Sequence, residues 1–141
     1  MAGQDRAGSK GRPERIFICS PLRPRAEDPD EAAAELEENL FRARKACRLI
    51  TDMGAIPYAP HIYATQFLDD GKAAERKLGL ALAQEWLRCA DECWVFSEHI
   101  SEGMAAEIAL ASELDIPVRM VCESGGLLGR MQEMLGERRD A

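Results

Sequence analysis

The sequence predicts an α/β fold, built on a doubly wound parallel sheet of four to five strands flanked by helices. Short apolar runs alternate along the chain with longer stretches of helical composition. The apolar runs lack the polar–apolar alternation that is typical of a sheet with one solvent-exposed face, so we expect helices to cover both faces of the sheet.

The first half of the chain is predicted to hold two strands and one long helix. Residues 15–19 form an apolar run ended by Ser20-Pro21, which predicts a buried first strand. Residues 30–53 are rich in Ala, Leu, Glu and Arg and stop at Gly54, as a helix does. Residues 55–59 form the second apolar run, closed by Pro60.

The second half continues the alternation. Residues 75–90 carry apolar side chains at a helical period (Leu78, Leu82, Trp86 and Leu87), and we expect Trp86 and Trp94 in the core. The remaining strands are predicted at residues 92–96 and 117–121, the third helix at 101–114 and a last helix at 127–135. Right-handed crossovers then give a flavodoxin-like sheet, whose ligands bind beyond the carboxyl ends of the strands.

Composition limits the class of protein. The 141 residues suit one domain at residues 15–141, after a polar, flexible tail at 1–14 that is not a secretory signal. A net charge of −7 argues against binding a nucleic-acid polymer, and no apolar run is long enough to span a membrane. The five cysteines form no CxxC pair, so we expect reduced thiols in a cytoplasmic protein with neither metal nor cofactor.

Glu107 is the most informative residue. On a helix it shares a face with Gly103, Met104 and Ala111, whereas Glu102 falls on the other side. A carboxylate in an apolar face is costly unless it is paired or used. Because this helix follows a strand, we expect Glu107 in an active site near the helix N-terminus.

Three loops are predicted to meet at that edge of the sheet. The first offers Arg23, for which a phosphate ligand and a solvated surface residue are equally supported. The second, residues 60–70, is long and offers His61 and Tyr63, with Asp69 or Asp70 capping the next helix. The third offers Ser101 as the N-cap and Gly103 as a point of close ligand approach. Asp91 precedes the third strand, so we expect a structural role for it at the opposite end of the sheet.

Four segments together resemble the nucleoside 2-deoxyribosyltransferase-like family, which includes deoxynucleoside 5'-monophosphate N-glycosidases. They are residues 16–23, 60–63, 86–91 and the pattern Ser101-x-Gly103-x-x-x-Glu107, and the likeness spans about residues 15–121. Within the group the chain is most similar to uncharacterised bacterial and phage domains.

The resemblance implies that Glu107 attacks C1' of a (deoxy)ribosyl group and forms a covalent intermediate, which passes to water or to a second base. It implies that Arg23, Ser101 and Gly103 hold a 5'-phosphate. The residues expected to contact substrate are Ser20, Arg23, His61, Ser101, Gly103 and Met104. It also implies a homo-oligomer, for which we expect a dimer; the apolar residues Met104, Leu110 and Leu114 fit either core or interface.

Two positions depart from the family pattern. Phe17 stands where the family has a tyrosine that hydrogen-bonds the nucleophile, and Ala83 stands where it has an aspartate acid. General acid catalysis is typically worth 10²–10⁴-fold in rate. Tyr63 is a candidate for the missing hydroxyl, and Asp69 or Asp70 for the missing acid.

Three functions follow from these residues. The first is cleavage or transfer of the N-glycosidic bond of a nucleotide or nucleoside by Glu107. The second is a non-catalytic nucleotide-binding module, favoured by Ala83 and opposed by Glu107. The third is a glycohydrolase of NAD-like dinucleotides, which needs room for a second nucleotide.

Overall fold

The computed structural model describes residues 12–121, and this part of the chain alternates between strands and helices. The strands are β1 (Arg15–Cys19), β2 (Ile56–Tyr58), β3 (Glu92–Val95) and β4 (Val118–Met120). The helices are α1 (Pro29–Asp52), α2 (Pro60–Ala64), α3 (Ala73–Leu87) and α4 (Glu102–Glu113). All strands pair in parallel, in the order β2-β1-β3-β4, which confirms the predicted fold class. The helix predicted at residues 127–135 lies outside the described residues.

Strand β1 is central because its two faces fill two different cores. Ile16 and Ile18 pack with the buried side of α1, whereas Phe17 and Cys19 pack with residues of α3 and α4. All four are at most 1% exposed. Burial on both faces explains why this strand is apolar without alternation.

The predicted end of α1 at Gly54 and the predicted N-cap of α4 at Ser101 are confirmed, whereas the predicted cap of α3 by Asp69 or Asp70 is wrong, because its N-cap is Lys72 and no side chain makes a capping hydrogen bond there. The Asp28 side chain accepts the Glu31 amide at the start of α1, and Gly54 beyond its end has a φ of 88°. The Ser101 hydroxyl caps α4 by accepting the Met104 amide at 3.2 Å. The longest of these helices, α1, is highly charged, and none in residues 12–121 has the length and apolar character to cross a bilayer.

Two other predictions are wrong in detail. Residues 60–64 form the short helix α2 inside the predicted loop, because Pro60 occupies its first turn, a position that suits proline. The apolar period of α3 locates the helix but not its buried face. Leu78 is 57% exposed, Leu82 38% and Trp86 46%, while Ala83 and Leu87 are buried. Trp86 is therefore not a core residue, in contrast to Trp94, which is 1% exposed.

Asp91 ties the amino ends of β1 and β3 together. Its carboxylate accepts the Arg15 amide at 2.8 Å and both terminal nitrogens of the Arg12 guanidinium at 2.9 and 3.1 Å. This end of the sheet lies opposite the loops predicted to bind substrate, so the structural role is confirmed. Arg12 itself belongs to the segment predicted as a flexible tail.

We predict that Asp91→Ala destabilises the protein by about 1–3 kcal/mol, because it leaves the Arg15 amide without this acceptor. Urea unfolding at neutral pH measures the change. Arg12→Ala serves as the comparison and should cost less, since the amide keeps its carboxylate. Equal stability of Asp91→Ala and the native protein would contradict the assignment.

Candidate active site

A cavity of about 140 Å³ lies beyond the carboxyl end of β1, between the β1–α1 loop, α2, the α2–α3 loop, α3 and the start of α4. Most residues predicted to form the site line it. They are Ser20, Arg23, His61, Asp70, Ser101, Gly103, Met104 and Glu107. The parallel sheet brings these distant segments together because its strands all end at this edge.

Glu107 lies on the buried face of α4 and is only 4% exposed. Met104 precedes it by one helical turn and Ala111 follows by one turn, both on the same buried face. Burial raises the pKa of the Glu107 carboxyl to about 7, and interaction with the Cys19 thiol offsets part of this rise. The group therefore exchanges its proton near neutral pH.

Arg23 and Asp70 form an ion pair in the cavity wall. Arg23 Nε lies 3.3 Å from Asp70 Oδ2, and both side chains remain partly accessible. The predicted phosphate ligand and one predicted acid are thus partners of each other. An anion that binds Arg23 has to share the guanidinium with the Asp70 carboxylate or displace that carboxylate.

Ser20 and His61 meet at the end of β1. His61 Nε2 donates to the Ser20 carbonyl, which assigns the ring proton to that nitrogen. Burial lowers the pKa of His61, so the ring is neutral at physiological pH. The Ser20 hydroxyl is buried and has no hydrogen-bond partner among residues 12–121. An unsatisfied buried hydroxyl in a cavity is a ready contact for a polar ligand.

The start of α4 forms another wall. Ser101 lies at its N-cap, and Gly103 faces α3. A Cβ added at Gly103 would meet Leu80 at 3.7 Å, an ordinary contact. Packing of the protein alone therefore does not demand glycine here. Glu102, which we expected on the outer side of the helix, also lines the cavity.

Tyr63 and Asp69 are not among the residues that line the cavity. The Tyr63 ring packs edge-on to Phe67 and Trp86, with centroids 5.1 and 6.2 Å apart. Asp69 shapes the turn before α3, where its carboxylate accepts the Gly71 amide at 2.9 Å.

Helix α3 supplies a wall that sequence reasoning missed. Arg76, Gly79, Leu80 and Ala83 are spaced along one helical face, and all line the cavity. Arg76 is half-buried and makes no ion pair within the described part of the chain. The sequence could have indicated this wall. Ala83, which was already compared with the family pattern, lies two helical turns after Arg76 on the same face. The apolar residues of α3 led us to expect burial of the helix face that is in fact exposed.

The site combines a buried carboxylate with a neutral imidazole, a free hydroxyl and two guanidinium groups. Such an arrangement suits a small anionic ligand and a reaction at an electrophilic carbon beside Glu107.

The raised pKa of Glu107 predicts how stability depends on pH. Between pH 4.5 and about 7 the native protein keeps a proton that the unfolded chain has lost, so stability falls as pH rises. We expect the native protein to lose about 3 kcal/mol between pH 4.5 and 8 relative to Glu107→Gln. Denaturant unfolding of both proteins across this range measures the difference, and parallel curves would contradict it.

Comparison with known proteins agrees with the architecture. The structure is similar to that of a 2-deoxyribosyltransferase from the psychrotolerant bacterium Bacillus psychrosaccharolyticus, with a TM-score of 0.59. The two chains are 20% identical, and the match covers 79% of this chain and 74% of the other. At this identity the likeness establishes the fold.

No curated protein matches the sequence. Residues 14–121 match a family described as a domain of unknown function, DUF7768. This match covers most of the chain and nearly all of the described residues, so the protein belongs to the DUF7768 family.

Proposed function

We propose that this protein cleaves or transfers the N-glycosidic bond of a nucleotide or nucleoside, with Glu107 as the nucleophile. The observation that carries the proposal is the Glu107 carboxylate, 4% exposed yet lining a cavity at the carboxyl end of the sheet. A carboxylate kept there at a cost in desolvation is explained by use in chemistry. The shared fold with a 2-deoxyribosyltransferase supports the same reaction class.

In the proposed reaction an oxygen of ionised Glu107 attacks C1' of the sugar. The C1'–N bond breaks, and its electron pair leaves with the base, which takes up a proton. Water or a second base then attacks C1' and releases Glu107, so the configuration at C1' is retained. Because only the carboxylate attacks, the first step should gain rate as pH rises through about 7.

The cationic groups favour a nucleotide over a nucleoside. Arg23 and Arg76 line the cavity from different segments, and Ser101 caps the helix that carries Glu107. A guanidinium binds a phosphate through paired hydrogen bonds. We assign the 5'-phosphate to Arg23, Arg76 and the Ser101–Gly103 turn, and a sugar or phosphate oxygen to the free Ser20 hydroxyl.

Proton delivery to the leaving base is assigned to Asp70 rather than Asp69. Asp70 lines the cavity, whereas the Asp69 carboxylate is occupied by the Gly71 amide. A phosphate on Arg23 would displace the Asp70 carboxylate from the ion pair, and Asp70 then has to take up a proton from solvent before it can pass one to the base. His61 and Met104 complete the wall beside the sugar.

A non-catalytic nucleotide-binding module is the second candidate. The observation that favours it is Ala83, which lines the cavity at the position where the resembled family has its acid. The two candidates bind the same ligands and differ in whether the base is released.

We predict that the native protein releases free base from one or more (deoxy)nucleoside 5'-monophosphates. Glu107→Gln should lower this rate by at least about 10³-fold, because it removes the nucleophile. Chromatography of reactions with a panel of nucleotides and nucleosides measures the release, and a second base added to half of them detects transfer. Glu113→Gln makes the same change on the exposed side of α4 and is the matched control.

Saturable nucleotide binding without base release from any substrate would establish the binding module instead. Equal turnover by Glu107→Gln and the native protein would rule out Glu107 as the nucleophile.

A further inference from the structure

The β1–α1 loop carries Arg23 into the wall of the cavity. Among the described residues, positions 21–27 of this loop make no hydrogen bond between backbone groups. A loop without such bonds depends on other groups to keep one conformation. The first of these groups is Asn39 of α1, whose side-chain amide donates to the Leu22 carbonyl at 3.1 Å.

The second group is the carboxylate of Glu35, which also lies on α1. Its two oxygens accept the backbone amides of Arg25 and Ala26 at 2.9 and 3.1 Å. These bonds hold the pKa of Glu35 below its usual value, so the carboxylate is ionised at neutral pH. Hydrogen bonds to an ionised acceptor are stronger than those between neutral groups, and Glu35 is therefore the firmer of the two anchors.

The two anchors enclose Arg23. Glu35 and Asn39 are one helical turn apart, so both side chains project from the same side of α1. They bind the chain one residue before Arg23 and two to three residues after it. Pro24 lies between these points and favours an extended backbone at Arg23. The backbone of Arg23 is thus held from both ends by a helix that contributes none of the residues lining the cavity.

The Arg23 guanidinium itself remains able to change partners. Its ion pair within residues 12–121 is the one with Asp70, at 3.3 Å, and both side chains are partly accessible. An accessible ion pair of this kind contributes little to stability. The bonds to the loop backbone, rather than the ion pair, therefore determine where Arg23 lies when an anion binds.

We propose that Glu35 and Asn39 are positioning residues, which hold the loop in the conformation that presents the Arg23 guanidinium to a phosphate group. A loop that is ordered in advance binds more tightly, because its ordering is not a cost of binding. The proposal rests on the assignment of a phosphate to Arg23 in the proposed function, but it does not require that the protein cleave a glycosidic bond.

The test is an NMR titration of the native protein and its variants with inorganic phosphate, followed through the backbone amide signals. Glu35→Ala removes both acceptor oxygens and should weaken phosphate binding by roughly 3–10-fold. Glu35→Gln keeps one acceptor oxygen and should recover part of the affinity. Glu37→Ala makes the same change in charge at an exposed position of α1. It is the matched control and should bind phosphate no more weakly than the native protein.

A pair of variants shows whether Glu35 acts through Arg23. Arg23→Ala should itself weaken phosphate binding, and Glu35→Ala should cause no further loss in that background. Asn39→Ala should weaken binding less than Glu35→Ala does, since it releases one bond instead of two. In assays of base release, Glu35→Ala should raise KM for a nucleotide more than for the corresponding nucleoside, with little change in kcat.

Native affinity for phosphate in folded Glu35→Ala would overturn the proposal, as would equal losses on adding Glu35→Ala to the native protein and to Arg23→Ala. Absence of phosphate binding by the native protein would overturn it together with the assignment of phosphate to Arg23. Weaker phosphate binding in Glu35→Ala together with no base release by the native protein would uphold the role of Glu35 and overturn the proposed function instead.

Discussion

Desolvation of the Glu107 carboxylate is the constraint on which the site depends. Removal of such a group from water costs several kcal/mol when it is ionised, even after the protein relaxes. The protein accepts this cost on a helix face that otherwise buries Met104 and Ala111. The pKa of about 7 is the direct consequence, and it leaves the group able to act as a base or a nucleophile near neutral pH.

The surrounding architecture keeps that carboxylate buried yet reachable. Helix α3 supplies the apolar wall at Leu80 and Ala83, and the Ser101 cap fixes the start of the helix that carries Glu107. The cationic groups Arg23 and Arg76 line other parts of the cavity. A carboxylate and two guanidinium groups therefore face the same cavity.

The fold was predictable because its signals are local. Burial on both faces of β1 left an uninterrupted apolar run, and Ser101 and Gly54 marked helix ends. Glu107 was predictable for the related reason that a carboxylate in an apolar helical face stands out. The short helix α2 was missed since proline both closes a strand and begins a helix.

The rest of the site depends on how separate elements meet, and this left weaker traces in the sequence. The Arg23–Asp70 pair joins loops far apart in the chain. Arg76 was missed in the sequence because the apolar residues of α3, including Trp86, lie on the exposed face of that helix. Tyr63 has the right chemistry, but its ring packs in an aromatic cluster instead of lining the cavity.

The most direct measurement is a search for the covalent intermediate during turnover. The protein is mixed with a cleavable nucleotide, quenched in acid within the first turnovers, digested with pepsin and analysed by mass spectrometry. The account predicts that the peptide containing Glu107 gains the mass of the sugar phosphate, attached to that side chain. Rapid base release with no adduct at Glu107, or with an adduct on another residue, would contradict it.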